Sequence, residues 1–344
     1  QKTAYEIVSR DWSSDVCSSD LDQCYLAARS PGQQLRDSTD HACFAGDIDK
    51  DFEDPTFNTT VNNNRHQIFH QLVAQFSQEF QEVSKRVGSR SAKPIQMLEV
   101  FCSSASELTK QTSKLGYRAC RYGFEQGDLS TKEGREGLFE IVIQQKPNHI
   151  WYSPTCGPWS SWSQFNEMRS TEGFVEVQRK REENLFQLAL GLVLFRVQRN
   201  AGRHMHWEQP ARSIMMRTPM LWEIIQNTQV ARFDMCRVGA IRDPMNQLLY
   251  KKGMEIHTTS QEFYYHFNGL TCNKQHQHQP LEGETVVKGM RIKRTEFSEN
   301  YSRRFARKVA QVLTKVKCLR SKPMGLSERS EEHTSELQSR ETIS

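Results

Sequence analysis

A cysteine at the end of an apolar run is the most reactive group whose setting can be read from this chain. Ile141, Val142 and Ile143, then Ile150, Trp151 and Tyr152, lead into Ser153-Pro154-Thr155-Cys156-Gly157-Pro158-Trp159-Ser160. A buried strand would therefore deliver the Cys156 thiol to its carboxyl end, where open α/β sheets keep their chemistry. A thiol starts near a pKa of about 8.5 and needs loop amides or nearby positive charge to become a nucleophile. The competing reading is a structural cysteine in an aromatic turn, with Trp151, Trp159 and Trp162 as core. A second strand-like stretch, His204-Met205-His206-Trp207-Glu208-Gln209-Pro210, presents a carboxylate at a similar end. A third constellation is Cys272-x-x-x-His276-x-His278 with Cys236 upstream. Two thiolates and two imidazoles would complete a tetrahedral structural zinc in a region too polar for its own core, and a Gln/His-rich loop is the alternative.

These residues need elements to position them. Met97 to Phe101 reads as a short apolar strand, Cys102-Ser103-Ser104-Ala105-Ser106 as a small-residue turn, and Glu107 to Leu115 as a helix ended by Gly116. Tyr117 to Tyr122 follows as a second strand. The turn offers free backbone amides at a helix start, where the anionic or polar end of a cofactor binds. Beyond the second strand, Glu125 and Asp128 sit where a carboxylate meets ribose hydroxyls in a doubly wound nucleotide site, and Asp128 is equally placed to cap the helix from about Lys132 to Gln145. Further along, Glu172 to Val197 reads as one long helix, Pro219 to Thr228 as another, Val230 to Val238 as a strand and Tyr301 to Lys317 as a basic amphipathic helix. The alternation predicts an α/β, Rossmann-like doubly wound, mostly parallel sheet with a small irregular C-terminal insertion.

The flanks divide differently. An amphipathic helix is expected over 64–93, packed on a core domain at 94–238; residues 239–295 are expected to be an irregular target-recognition or zinc-like insert and 296–322 a basic closing helix. Residues 22–63, rich in Asp, Asn, Gln and Thr, read as loop or disorder, as does the tail 323–344. Asp11 to Leu21 and Arg329 to Ser339 are encodable by one DNA sequence in opposite orientations, so both read as translated sequencing adapter and are set aside, with all of 1–21 taken as non-native.

The chain has 344 residues, 36% of them hydrophobic, a net charge of +5 and nine irregularly spaced cysteines. That suffices for one core, argues for reduced thiols rather than a disulfide framework, and offers no window of the roughly 18 apolar residues a membrane span needs. No signal-like segment opens the chain, so secretion is not expected. Between Lys288 and Lys322 there are twelve Lys or Arg against two Glu. Such a stripe can neutralise nucleic-acid phosphates or simply be a solvated helix face.

Taken in order, four stretches resemble the motifs of the cytosine-5 DNA methyltransferases. Glu99-Val100-Phe101-Cys102-Ser103-Ser104 resembles the cofactor loop Asp-Leu-Phe-x-Gly-x-Gly, Gly127-Asp128-Leu129 resembles Gly-Asp-Ile, Thr155-Cys156-Gly157-Pro158-Trp159-Ser160 resembles Pro-Cys-Gln-Pro-Phe-Ser, and Trp207-Glu208-Gln209-Pro210 resembles Glu-Asn-Val. The resemblance covers roughly 94–318. It implies a class I methyltransferase fold and S-adenosylmethionine bound by Phe101, Cys102, Ser103, Ser104, Glu125, Asp128, Leu129 and Pro154. Cys156 would be the nucleophile, Glu208 the acid, and Ser160, Arg303, Arg304, Arg307 and Lys308 the nucleic-acid contacts. The base would be flipped out of the duplex. Thr155, Ser103, Ser104 and Gln209 depart from the motifs, and no Gln-x-Arg-x-Arg segment is evident. This pattern implies a remote or degenerate member, similar to modules of mobile-element polyproteins, working on DNA in the nucleus rather than the cytoplasm. Two alternatives stay open: a catalytically inactive nucleic-acid-binding module, and an RNA cytosine methyltransferase.

Overall fold

The computed structural model describes residues 55–88, 93–104 and 106–316. The adapter-like segments, most of the polar stretch at 22–63 and the tail at 323–344 lie outside the described residues. The first helix, α1 (Pro55–Val87), begins earlier than the hydrophobic period suggests. Its core-facing positions Phe69, Val73, Phe76 and Val83 are buried, and these define the stripe. The polar turns before residue 64 carry no such signal.

The domain then runs β1 (Met97–Val100), α2 (Glu107–Lys114), β2 (Ala119–Tyr122), α3 (Lys132–Gln145) and β3 (His149–Tyr152). Three helices follow: α4 (Ser161–Arg169), α5 (Thr171–Glu183) and α6 (Leu185–Asn200). The single helix expected over Glu172 to Val197 is thus two, broken at Asn184, whose side chain turns back onto the Lys180 carbonyl at 2.7 Å. After β4 (His204–Pro210) and the short α7 (Trp222–Gln226), β5 (Gln229–Asp234) passes directly into α8 (Met235–Val238). The strand expected to reach Val238 therefore stops at Asp234.

Six strands form one mixed, mostly parallel sheet in the order β2-β1-β3-β4-β7-β5. The member that sequence patterning missed is β7 (Gly253–Thr258), which lies between β4 and β5 and runs antiparallel to both. Its place corrects the reading of 239–295 as an irregular insert outside the core. Met254, Ile256 and Thr258 share one face and Gly253, Glu255 and His257 the other, so the apolar/polar alternation lasts only four residues and ends in two buried polar side chains, His257 and Thr258. Around it lie β6 (Leu249–Tyr250), α9 (Gln261–Phe267), β8 (His278–Gln279), a hairpin of β9 (Glu284–Val287) and β10 (Met290–Lys293), and α10 (Arg294–Phe297). The last described helix, α11 (Arg303–Leu313), is shorter than the Tyr301 to Lys317 expected. It is capped by Ser302, whose hydroxyl accepts from the Phe305 amide at 3.0 Å.

Two cores flank the sheet, as a doubly wound α/β fold requires. Alternate residues feed each: Leu98, Val100, Ile150 and Tyr152 face α1, α3 and α6, whereas Met97 and Trp151 face α2, α9 and α11. Gly191 of α6 is where the first core is tightest. A Cβ there would lie 2.3 Å from Trp207 and 2.8 Å from Tyr152, both fully buried rings. Gly191→Ala is expected to cost about 1–3 kcal/mol by overpacking, read as a lowered midpoint in thermal or urea denaturation. An unchanged midpoint would mean that the two rings can move apart.

Candidate active site and candidate metal centre

Strand register brings the candidate residues together. Val100, Tyr152 and Trp207 lie side by side on β1, β3 and β4. Phe101, Ser153 and Glu208 therefore occupy the next row, at the carboxyl edge. The chain leaves β1 toward β2 on one side and returns to β3 on the other, so the edge of β1 and β3 is a topological switch point, the usual place for a ligand crevice.

The thiol loop is pinned from two sides. From α6, the Gln187 side chain accepts the Thr155 amide at 2.7 Å and donates to the Thr155 hydroxyl at 3.2 Å. From β4, the buried Gln209 donates to the Pro154 carbonyl at 3.3 Å and accepts from Ser213 at 3.0 Å. Gly157 to Trp159 then form one tight turn, and Ser160 caps α4. The hydroxyl expected to contact nucleic acid is thus engaged with the Ser163 amide and the Gly157 carbonyl, at 3.2 and 2.9 Å.

Cys156 is half-buried, and its thiol is pushed up to about 12. Burial is the main cause; the carboxylate of Glu299 adds to it, Lys252 opposes it, and Glu208 raises it further. These three charges come from separate parts of the chain: Glu208 from β4, Glu299 from the segment after α10, and Lys252 from the residue before β7. Glu299 is exposed, and loss of part of its surrounding water pushes its carboxyl above the usual range. Lys252 donates to the Ser298 carbonyl at 3.2 Å, beside Glu299. Tyr301 closes this edge: its hydroxyl accepts from the Trp151 indole at 3.0 Å and meets the Ser153 hydroxyl at 3.3 Å. Sequence reasoning missed Lys252 and Glu299. Lys252 precedes the strand that patterning did not find, and Glu299 is one of two acids in a basic stretch.

The residues assigned to a cofactor divide into two groups. Phe101 takes a left-handed backbone, φ 61°, and packs its ring on Tyr152 at 5.2 Å. The Cys102 thiol, also at about 12 through burial and then the charge of Glu99, contacts the Glu99 carbonyl. Ser103 and Ser104 are exposed at the switch point. The second group is committed locally: Glu125 pairs with Arg121 at 3.7 Å, Asp128 accepts the Ser130 amide at 2.9 Å, and Leu129 and Pro154 are buried. Of the basic residues, Arg303, Arg304 and Arg307 are exposed on α11. Lys308 is drawn below its ordinary pKa by burial and then by Arg304 and Arg237, so these three cations form one patch.

Cys236, Cys272, His276 and His278 bring one ligand atom each to within 4.8 Å of all the others. The Cys272 sulfur lies 3.8 Å from His276 Nε2 and 3.6 Å from His278 Nε2. Tetrahedral zinc, with Zn–S of about 2.3 Å and Zn–N of about 2.0–2.1 Å, sets that edge at about 3.6 Å. The cluster can hold a metal ion. It is built by α8, which carries Cys236 just beyond β5, and by a polar loop ending in β8; the Cys272 amide is anchored on the Asp234 carboxylate at 2.6 Å.

No helix among the described residues is long and apolar enough to cross a membrane. The chain matches no family model, no curated protein and no solved structure with which it was compared.

Proposed function

We propose that this chain is a remote cytosine-5 methyltransferase in which Cys156 attacks a flipped cytosine in DNA and Glu208 assists. The observation that carries the reading is the convergence of Cys156 and Glu208 at the switch-point edge, on the two strand ends where the motif resemblance puts nucleophile and acid. Carbon 5 of cytosine is a poor nucleophile. As the Cys156 sulfur adds to ring carbon 6, its proton leaves to solvent or a neighbouring carboxylate, and Glu208 acts as the acid at ring nitrogen 3. Electron density then shifts to carbon 5, which takes a methyl group. Loss of the carbon 5 proton expels the sulfur and restores the ring.

S-adenosylmethionine would supply that methyl group, with Ser103 and Ser104 at its polar end. The fit rests on this β1 loop, because Glu125 and Asp128 are already engaged. Gln187 and Gln209 hold the thiol loop in place, and Tyr301 brings the start of α11, with Arg303 and Arg304, to the cleft rim, where phosphates can be met. The test is transfer of labelled methyl groups from S-adenosylmethionine to cytosine in duplex DNA, with RNA of the same sequence alongside. Label in RNA alone would move the substrate class, and label in neither would remove the activity. The high proton affinity of the Cys156 thiol favours a second reading, a nucleic-acid-binding module without turnover. It is distinguished by salt-dependent DNA binding without cofactor uptake.

The metal ligands fit structural zinc, which would supply the core this polar region lacks. One zinc per chain is expected by elemental analysis. Cys272→Ser is expected to lower affinity for zinc at least about tenfold, checked by competition with a chromogenic chelator. Binding undiminished by that substitution would place any metal elsewhere.

A further inference from the structure

Lys252 lowers the proton affinity of the Cys156 thiol, and its backbone is held by the two segments that carry the metal ligands. On one side, the Met235 amide, adjacent to Cys236, donates to the Lys252 carbonyl at 2.9 Å. On the other, the Lys251 amide donates at 3.3 Å to the carbonyl of Gln279, the neighbour of His278, and β6 pairs with β8 through Leu249 with His278 and Tyr250 with Gln279. These pairings are two residues long, and the loop at 272–279 is polar and largely exposed. Such a loop has little apolar surface with which to hold its own position, so a metal is the element able to fix it.

We propose that the centre formed by Cys236, Cys272, His276 and His278 is the device that holds Lys252 against Cys156, so that metal occupancy sets the reactivity of the thiol. The inference rests on Cys156 being the reactive group of the proposed function. The charged groups facing the thiol are Lys252, Glu299 and Glu208. With Lys252 held, one positive charge offsets two carboxylates; when the metal-bearing segments loosen, the carboxylates act alone and the thiolate is disfavoured. Lys252 is thereby a positioning and electrostatic residue whose own position depends on the metal.

The test follows alkylation of Cys156 by iodoacetamide in the full chain, between pH 7 and 10, by peptide mass spectrometry, with Cys120 as an internal control. Zinc-loaded protein is compared with chelated protein, Lys252→Met, Lys252→Arg, Cys272→Ser and the double variant Lys252→Met/Cys272→Ser. The expected result is a fall of about tenfold in the Cys156 rate, equivalent to about one unit of thiol pKa, on chelation, in Lys252→Met and in Cys272→Ser. The double variant falls no further, Lys252→Arg keeps the wild-type rate, and Cys120 is unchanged. Losses that multiply in the double variant, an unchanged rate on chelation, or a faster rate from opening of the cleft would each overturn the inference. Absence of bound zinc would overturn it too, while leaving methyl transfer as a separate test of the active-site reading.

Discussion

Cys156→Ala is expected to abolish the proposed methyl transfer to DNA, by about 10³-fold or more, and to leave the fold and S-adenosylmethionine binding intact. The size follows from the role: without the sulfur, no route makes carbon 5 nucleophilic, and removal of a covalent catalyst is among the most costly single changes an enzyme can suffer. The fold is spared because the loop is held by Gln187 and Gln209 through the backbone of Thr155 and Pro154, and the cysteine side chain itself is half-exposed. The wild-type rate is expected to carry a pH signature: with the thiol held up to about 12, the thiolate fraction should rise about tenfold per unit from pH 7 to 9, so that the proposed chemical step accelerates on the alkaline side. Radiolabel transfer and equilibrium binding of the cofactor measure both halves. Joint loss of activity and binding would instead make Cys156 a structural residue.

Glu79→Ala is expected to be the most destabilising of the substitutions considered, at about 3–5 kcal/mol. Glu79 of α1 and Arg135 of α3 form a buried two-pronged pair, with N–O distances of 2.8 and 2.9 Å. The guanidinium also lies 4.2 Å over the ring of Phe76 and donates to the carbonyls of Leu129 and Ser130. Removing the acid leaves that guanidinium buried with no carboxylate, and α1 loses a buried ion pair to α3. Burial alone raises the Glu79 carboxyl, but hydrogen bonds from Arg135 and Gln75 pull it below its ordinary value. The pair's contribution is therefore complete above the unfolded carboxyl pKa of about 4.3 and is lost as pH falls through the lower folded value. Urea denaturation at pH 7 reads the loss directly. Between about pH 4 and 2, the variant should show a shallower fall in stability than the wild type. A cost under about 1 kcal/mol would show that α1 is held by its apolar stripe alone.

Much of this architecture is legible in the sequence, for identifiable reasons. The strands at Met97, His149 and His204 announce themselves because both faces are apolar or aromatic and each ends at a small or proline-containing turn. The metal quartet is legible because cysteine and histidine are rare and their spacing survives folding. Strand β7 is not, since its short alternation ends in two buried polar residues, His257 on one face and Thr258 on the other, which find partners in Thr228 and His206. The break at Asn184 is equally silent, because residues on either side keep the helical period. Lys252 and Glu299 stand about 100 and 140 residues from Cys156 in the sequence, and only the pairing of β7 with β4 brings the first of them to the cleft. On sequence alone Asp128 reads equally as a ribose contact and as the cap of the next helix; the cap is instead Thr131, and Asp128 accepts the Ser130 amide in the turn before it.

The most direct test of the central claim is covalent trapping. The full chain is mixed with S-adenosylmethionine and duplex DNA carrying 5-fluorocytosine, whose carbon 5 has no proton to lose once the methyl group has arrived, so the sulfur cannot leave. A denaturation-resistant protein–DNA adduct that maps to Cys156 and disappears in Cys156→Ser is the expected result. A folded protein that binds both DNA and cofactor yet forms no adduct, or an adduct that persists in Cys156→Ser, would contradict it.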